Sequence, residues 1–186
     1  AEGAFNQAFI PIYTDYQKSN NLDQTKDFLN AIAGTLLIFL FVFTILVLIF
    51  APVFILIFAP GFYFDPIKQN ISIDVLRIMF PYLALISLVA FAGGIQNTHQ
   101  KFSVPAFTPV IFNLCLIVSA IFIAPMYDMP IYVLAWGVLL AGILQLLIQI
   151  SPLLSINRLP VPKLDIKNQG LRKFFKLIFS IKLFFK

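Results

Sequence analysis

The sequence predicts an all-α protein, a polytopic bundle of transmembrane helices. Hydrophobic residues make up 60% of the chain, against roughly 45–50% in an ordinary soluble domain. No charged side chain occurs between Asp27 and Asp65, or in the later stretches 78–100, 102–127 and 129–157. Each stretch exceeds the about 20 residues that a helix needs to cross the hydrocarbon core. Only helices and closed barrels satisfy their backbone groups in lipid, and these stretches lack the alternating polarity of barrel strands.

The first two predicted segments differ in polarity. Residues 1–17 form a partial span that Pro11 bends or locally breaks, and a charged surface loop follows it. The second span, 28–58, is apolar on all sides. As a helix it would be about 46 Å long at about 1.5 Å per residue, more than the roughly 30 Å of hydrocarbon. We therefore expect this segment to tilt, to protrude or to break near Pro52.

Pro and Gly separate the later segments from one another. The predicted spans are 73–96, 105–124 and 131–150, joined by short turns. A basic loop follows, and 170–186 either begins a sixth helix or lies flat in the membrane interface. We expect residues 1–186 to form a single transmembrane domain. Because both ends fall within helical segments, we also expect it to be part of a larger protein.

Lys and Arg fall mostly on one set of alternate loops. Cytoplasmic loops of membrane proteins are enriched in these residues, so we expect this set to face the cytoplasm. The turns at Asp65 and Asp128 would then face outward, together with Lys68 and Arg77. The cytoplasmic set comprises Lys18, Lys26, Lys101, Arg158, Lys163, Lys167, Arg172, Lys173 and Lys176.

Catalysis, metal binding and nucleic-acid binding are not predicted. Cys115 and His99 are each the single residue of their type, so no Cys/His cluster and no intrachain disulfide can form. The sequence has no Gly-rich phosphate loop and no nucleophile–base set, hence we expect no enzyme and no cofactor. A net charge of +5 is too thinly spread to indicate nucleic-acid binding. His99 is expected to be a solvated loop residue beside Lys101.

Short motifs that follow one another along the chain carry a resemblance to a known family. They are Ala1–Pro11 (AEGAFNQAFIP), Ala59–Phe62, Phe80–Tyr82, Asn97–Thr98, Phe102–Pro109, Leu134–Trp136 and Gln145–Leu146. In this order and spacing, from residue 1 to about 170, the chain resembles the lipid II flippases, the MurJ/MviN family. Residues 177–186 depart from the helix that the family has there.

The resemblance implies a fourteen-helix transporter of the multidrug/oligosaccharidyl-lipid/polysaccharide exporter superfamily, with this chain as part of its N-terminal lobe. Such proteins lie in the bacterial inner (cytoplasmic) membrane. By alternating access they move lipid II, the undecaprenyl-diphosphate-linked peptidoglycan precursor, from the inner to the outer leaflet. The implied partners are lipid II, membrane lipids and cell-wall synthesis proteins, with no nucleic acid. The family's essential cavity arginines would lie outside this chain.

Two other functions stay open. In the first, the chain would be part of a flippase whose cargo is another polyprenyl-linked oligosaccharide. In the second, the chain would be a non-transporting remnant or a structural membrane subunit.

Polar residues within the apolar segments are candidates for lining a substrate cavity, namely Glu2, Asn6, Gln7 and Asn113. Glu2 and Asn6 share one helix face with Phe9 and Tyr13, and such a face meets other helices or water rather than lipid. Glu2 would tune the charge near a diphosphate-binding arginine, or it is an acid at the outer interface. The amides would contact the sugar or peptide of the cargo, or form interhelical hydrogen bonds worth about 0.6–2 kcal/mol.

Small residues and a proline are candidates for close helix packing or for a hinge. These are Gly3, Ala4, Pro11, Gly93 and Gly94. Gln145 and Gln149 share one helix face and are expected to be packing or interfacial groups.

Overall fold

A computed structural model describes residues 2–19, 21–165 and 168–184, and it describes side chains in 7–19, 21–62, 64–165 and 168–177. These ranges contain eight α-helices and no β-strand, which confirms the all-α class. The helices are α1 Glu2–Lys18, α2 Leu22–Ile49, α3 Ala51–Phe58, α4 Pro66–Met79, α5 Pro81–Thr98, α6 Ser103–Val118, α7 Pro130–Ser155 and α8 Gln169–Phe184. Short helical turns of other types occur at Pro60–Phe64, Ser119–Ile123 and Ala124–Met126.

Four helical stretches of the described chain are long and apolar enough to cross a membrane. They are Leu22–Ile49, Pro66–Thr98, Ser103–Met126 and Pro130–Ser155. Large apolar side chains stay exposed on them, for example Phe39, Phe41 and Phe122. Contact with water would make this exposure unfavourable, whereas lipid tails are themselves apolar. Such surfaces are typical of a multi-pass membrane protein.

The helix break expected near Pro52 lies between α2 and α3. Proline has no N–H, so Pro52 cannot donate to the carbonyl of Leu48, four residues earlier. The Arg77 Nε of α4 donates to the Leu48 carbonyl instead, at 3.3 Å. Phe50, the residue between the two helices, has φ −91° and ψ 16°. The guanidinium thus satisfies a carbonyl that the proline leaves without its usual donor.

Helix α4 begins at Pro66, earlier than the predicted span at 73–96. Asp65 caps it, because its carboxylate accepts a hydrogen bond from the Lys68 backbone N–H at 3.2 Å. Pro66 takes the first helical position, where its missing N–H is not needed. Lys68 Nζ also lies 2.9 Å from the Asp65 carboxylate, and this hydrogen bond lowers the pKa of Asp65 below its usual value. The first turn of α4 is polar, so a search for apolar runs does not detect it.

The chain divides into two compact units. Unit 1 comprises residues 1–39, 87–105 and 148–186. Aromatic side chains form much of its core: the ring of Phe9 lies 6.1 Å from that of Phe28 and 5.3 Å, edge-on, from that of Phe91. The start of α8 approaches this core through Gly170, where an added Cβ would lie 2.8 Å from Tyr16 Oη.

Unit 2 comprises residues 40–86 and 106–147. Two glycines of α7 allow close approach to its neighbours in this unit. A Cβ at Gly142 would lie 2.8 Å from the Tyr82 ring, and one at Gly137 would lie 2.9 Å from Ser119 Cβ. Ser119 begins a π-helical turn, in which its carbonyl accepts from the Ala124 N–H. The helical turn that follows α6 is thus wider than an α-helix at the place where α7 packs against it.

Candidate functional site

Helix α1 carries most of the predicted cavity residues. Gln7 and Pro11 are both exposed on it, and the helix continues through Pro11. The side chains at the first positions of this helix lie outside the described residues, which concerns Glu2, Gly3, Ala4 and Asn6. Among the candidates on α1, the structure therefore places the side chains of Gln7 and Pro11, both on an exposed surface.

The C-terminal half of the predicted polar face of α1 is buried. Phe9 and Tyr13 are each 0% exposed, and their rings stack with centroids 5.3 Å apart. Phe9 also contacts Phe28 of α2 and Phe91 of α5. This half of the face meets other helices rather than lipid.

His99 belongs to a hydrogen-bonded cluster with two α1 side chains, so the prediction of a solvated loop residue is wrong. Its Nε2 lies 3.0 Å from Tyr13 Oη and 2.9 Å from Gln17 Nε2. Both distances are those of hydrogen bonds between the imidazole and α1. Burial lowers the pKa of His99, and the charge of Arg158 lowers it further. The prediction failed because α5 continues to Thr98 and holds the imidazole against α1.

Arg158 brings a positive charge to this cluster. Its guanidinium lies beside Tyr13 and His99, and its Nε is buried without a hydrogen-bond partner in the described part of the chain. The Arg158 N–H donates to the Leu153 carbonyl at 2.9 Å, and Asn157 has a φ of 53°. This is a Schellman motif, in which a left-handed residue turns the chain back at the end of a helix. The end of α7 thereby places a cation beside α1.

Buried glutamines form further polar contacts between helices. In unit 1, the Gln96 side-chain amide of α5 donates to Gln149 Oε1 of α7, and both residues are at most 1% exposed. In unit 2, Gln145 Nε2 donates to the Thr108 carbonyl at 2.9 Å. Gln145 and Gln149 therefore act as packing groups, the first of the two predicted alternatives.

The other predicted site residues lie on α5 and α6. Asn113 is exposed on α6, in unit 2. Gly93 and Gly94 are buried in α5, in unit 1. A Cβ at Gly93 would lie 3.6 Å from Pro105, an ordinary van der Waals distance, so close packing does not by itself require a glycine there.

The described side chains can form hydrogen bonds, and a few of them carry a positive charge. Among the described residues, no group of three His, Cys, Asp or Glu residues could hold a metal ion. Cys115 is half-buried and carries a free thiol.

Sequence reasoning missed the His99 cluster, because its members are more than 80 residues apart along the chain. Neither His99 nor Gln17 belongs to a periodic pattern in the sequence that would indicate their contact.

The chain is similar to lipid II flippases in sequence and in structure. The family described as lipid II flippase MurJ matches residues 1–185. A probable lipid II flippase MurJ of Buchnera aphidicola subsp. Baizongia pistaciae is 39% identical over 183 residues, which cover 98% of this chain and 36% of the relative. The lipid II flippase MurJ of Burkholderia cenocepacia is 37% identical over 161 residues, which cover 87% and 31%.

A solved structure described as lipid II flippase MurJ in an inward closed conformation shares the fold. It matches with a TM-score of 0.76 over 97% of this chain and 37% of that chain, at 24% sequence identity. The chain thus spans about a third of the length of the relatives it matches. These findings confirm the resemblance that the sequence motifs carry.

Proposed function

Because this chain belongs to the lipid II flippase MurJ family, we propose that it forms part of a transporter that moves lipid II across the bacterial inner membrane. The observation that carries the proposal is the family match over residues 1–185, which includes all eight described helices. Such transport binds the cargo on one side and releases it on the other without forming or breaking a covalent bond. The chain is accordingly part of a transporter rather than of an enzyme.

The head group of the cargo would meet the first two turns of α1 in this proposal. Glu2, Asn6 and Gln7 are the polar residues of these turns, and Asn113 on α6 is a further candidate. Amides both donate and accept hydrogen bonds, so they can bind sugar hydroxyls and peptide groups alike. Cations would hold the diphosphate through charge-assisted hydrogen bonds, and Glu2 would adjust the charge around them. The exposure of Gln7 supports this assignment.

Movement of α1 would occur relative to its C-terminal half, which is held in place. Hydrogen bonds from Tyr13 and Gln17 to His99 tie the C-terminal half of α1 to the end of α5. Pro11 cannot donate to the Gln7 carbonyl, so α1 lacks one backbone hydrogen bond above the tied half. We infer that α1 bends at Pro11 during alternating access. Gly93 and Gly94 are second candidates for a hinge, in α5.

Lipid II is a better supported cargo than another polyprenyl-linked oligosaccharide, because the relatives found at 35–41% identity are named lipid II flippases. The transporter would lie in the inner membrane, where its cargo is made on the inner leaflet. Cell-wall synthesis proteins would be its neighbours there, and the basic segment after α7 would contact anionic lipids.

A chimera tests the proposed function. Residues 1–186 replace the matching segment of the Burkholderia cenocepacia flippase, and the chimera is expressed while the native flippase is depleted. We expect growth to be restored and lipid II to become accessible to a reagent added on the outer side. A chimera that inserts and folds, yet leaves lipid II on the inner side, would contradict the proposal. Rescue of capsule export without rescue of wall synthesis would instead favour the other cargo.

Two matched substitutions in this chimera test the role of α1. Glu2→Gln removes a negative charge from the proposed cavity and is expected to reduce lipid II flipping. Asp23→Asn removes one from the exposed first turn of α2 and is expected to leave flipping unchanged. Equal flipping by both variants would exclude a role for the Glu2 charge without affecting the assignment of the cargo.

A further inference from the structure

Unit 1 contains an apolar pocket of about 240 Å³ between α2 and α8. Its walls are side chains of these two helices, among them Ile32, Thr35, Phe39, Leu171, Phe174 and Phe175. The Thr35 hydroxyl donates to the Ala31 carbonyl of its own helix at 2.8 Å, and the other side chains of the wall have no polar atom. A ligand would therefore meet an almost entirely apolar surface.

The pocket lies at the depth of the hydrocarbon chains of a bilayer. Helix α2 can cross a membrane, and Asp27 is its last charged residue. Ile32 and Phe39 follow Asp27 by five and twelve residues, or about 8 and about 18 Å along the helix, within a hydrocarbon core of roughly 30 Å. Phe39 is 63% exposed and Phe175 is 41% exposed, so the pocket opens to the surface of unit 1.

Helix α8 begins nearer to the membrane surface than the pocket does. The Asn168 side chain caps it and accepts from the Gly170 N–H at 2.9 Å. Gly170 lies against the ring of Phe28, where an added Cβ would be 2.9 Å from a ring carbon. Phe28 directly follows Asp27 in the sequence, so α8 starts at the level where the apolar part of α2 starts.

The first turns of α8 carry cations beside the pocket. Arg172, Lys173 and Lys176 are exposed, and none of them forms an ion pair with a residue that the structure describes. Arg172 lies three residues before Phe175 of the pocket wall and four before Lys176, spacings that make neighbours on a helix surface. Helical side chains lean toward the N-terminus of their helix, so Lys176 extends back toward the start of α8.

The size and the surroundings of the pocket indicate what fills it. A volume of about 240 Å³ corresponds to roughly eight water molecules. Water would find too few hydrogen-bond partners on these walls, and another helix, about 10–12 Å wide, is too large. An empty pocket would leave its walls without van der Waals contacts. A stretch of acyl chain supplies these contacts, and acyl chains surround α2 at this depth.

The neighbouring cations select the lipid that provides the chain. We propose that the pocket holds one acyl chain of an anionic glycerophospholipid such as phosphatidylglycerol, whose phosphate binds Arg172 and Lys176. Arg and Lys bind phosphate oxygens through charge-assisted hydrogen bonds. Cations near the start of α8 and an apolar wall deeper along α2 match the order of head group and chain in such a lipid. The inference does not rest on the transport of lipid II, because it uses the geometry of unit 1 alone.

A tryptophan in the pocket wall tests the identity of the lipid. The intact protein that contains this chain carries Phe39→Trp, with every other tryptophan replaced by phenylalanine, in phosphatidylcholine vesicles. Phosphatidylglycerol with brominated acyl chains, which quench tryptophan fluorescence on contact, is then added in increasing fractions. We expect the lipid beside this probe to be enriched in phosphatidylglycerol at least about fivefold over the bilayer. Phe41→Trp is the matched control, since Phe41 is exposed on the same helix and does not line the pocket. Its quenching is expected to follow the composition of the bilayer.

A pair of charge substitutions tests the cations. In the Phe39→Trp protein, Arg172→Gln is expected to lower the enrichment about fivefold, because it removes one cation beside the phosphate. Lys101→Gln removes an exposed cation at the end of α5, which does not line the pocket, and is expected to leave the enrichment unchanged.

A second pair of substitutions tests the pocket. Native mass spectrometry of the protein, purified from membranes that contain phosphatidylglycerol, is expected to show one retained molecule of this lipid. Thr35→Phe places a large side chain in the pocket and is expected to abolish the retention. Leu37→Phe enlarges an exposed side chain of α2 outside the pocket and is expected to preserve it.

Three outcomes would overturn the proposal. They are equal enrichment at the Phe39→Trp and Phe41→Trp probes, equal enrichment in the Arg172→Gln and Lys101→Gln proteins, and retention of the lipid by Thr35→Phe. The last would show that the basic segment attracts lipid at its surface without using the pocket. Should Thr35→Phe fail to fold, the exposed Phe39 and Arg172 still decide the question. None of these measurements uses lipid II, so a failure of the proposed transport function would leave their results unchanged.

Discussion

Gly34 of α2 is the position where a single added methyl group has the most direct structural consequence. A Cβ there would lie 2.7 Å from the Lys163 carbonyl carbon and 2.9 Å from the Lys163 nitrogen, and closer still to the carbonyl oxygen. These are backbone atoms, so no change of rotamer can relieve the overlap. Gly34→Ala therefore has to displace the segment around Lys163, which lies across α2 at this point.

Two hydrogen bonds hold this segment, and both would be lost on displacement. The Lys163 N–H donates to the Asn30 carbonyl at 3.0 Å, and the Val161 N–H donates to Asn30 Oδ1 at 2.7 Å. At about 0.5–1.5 kcal/mol each, the loss is about 1–3 kcal/mol. Alanine in place of glycine favours the helix by about 0.8–1.0 kcal/mol. The net destabilisation is about 0–2 kcal/mol, so a melting temperature would be a poor measure of the effect.

Amide hydrogen exchange reports the displacement directly. Pro160 and Pro162 have no N–H, so exchange in a peptide over 160–163 comes from Val161 and Lys163. In Gly34→Ala we expect both amides to exchange about two- to tenfold faster than in the unaltered protein, because each loses about 0.5–1.5 kcal/mol of protection. The measurement uses the intact protein in detergent.

Two control variants make the measurement specific. Asn30→Ala removes the side-chain acceptor and keeps the backbone carbonyl, so only the Val161 amide should exchange faster. Gly61→Ala adds a methyl group where no atom lies within 4 Å, and exchange over 160–163 should not change. Slow exchange of both amides in Gly34→Ala would refute the close approach of this segment to α2.

Three further predictions concern local chemistry. Burial lowers the pKa of His99 in the folded protein, so the unfolded state binds more protons and stability falls as the pH drops through the ordinary value for histidine. His99→Gln should remove this part of the pH dependence, measured as unfolding midpoints from about pH 8 to about pH 5. If the midpoint of the variant falls with pH as steeply as that of the unaltered protein, the prediction is wrong. Pro52→Ala restores an N–H donor to the Leu48 carbonyl, so Arg77→Ala should then destabilise less than it does alone, by about 1 kcal/mol in a double-mutant cycle; strict additivity would exclude the Arg77 hydrogen bond. Asp65→Ala removes the cap of α4 and should destabilise its first turn by about 1 kcal/mol, seen as faster amide exchange there, and unchanged exchange would show that the cap contributes nothing.

Local backbone chemistry explains which features of the fold were predictable. The break at Pro52 follows from a missing N–H, and this is a property of the residue wherever the helix lies. The start of α4 was placed too late, because Asp65 and Pro66 begin the helix with a cap rather than with apolar residues. Cap signals are present in the sequence, but hydropathy does not register them.

The candidate site was less predictable for a different reason. Glu2, Asn6 and Gln7 were chosen because polar groups are rare in apolar segments. This argument does not depend on which residues contact their side chains. The imidazole of His99 was assigned to solvent, although it is held by Tyr13 and Gln17. Nothing in the neighbourhood of His99 along the chain points to these partners.

By itself, the sequence determined that this chain is helical, crosses a membrane and belongs with the lipid II flippases. Composition and the order of motifs suffice for these conclusions, because the low polarity of hydrocarbon constrains each segment separately. Only the tertiary structure decided that His99 contacts Tyr13 of α1, that Gln96 is hydrogen-bonded to Gln149, and that Lys163 lies against Gly34. The members of each pair lie far apart along the chain, and it is the packing of helices that brings them together.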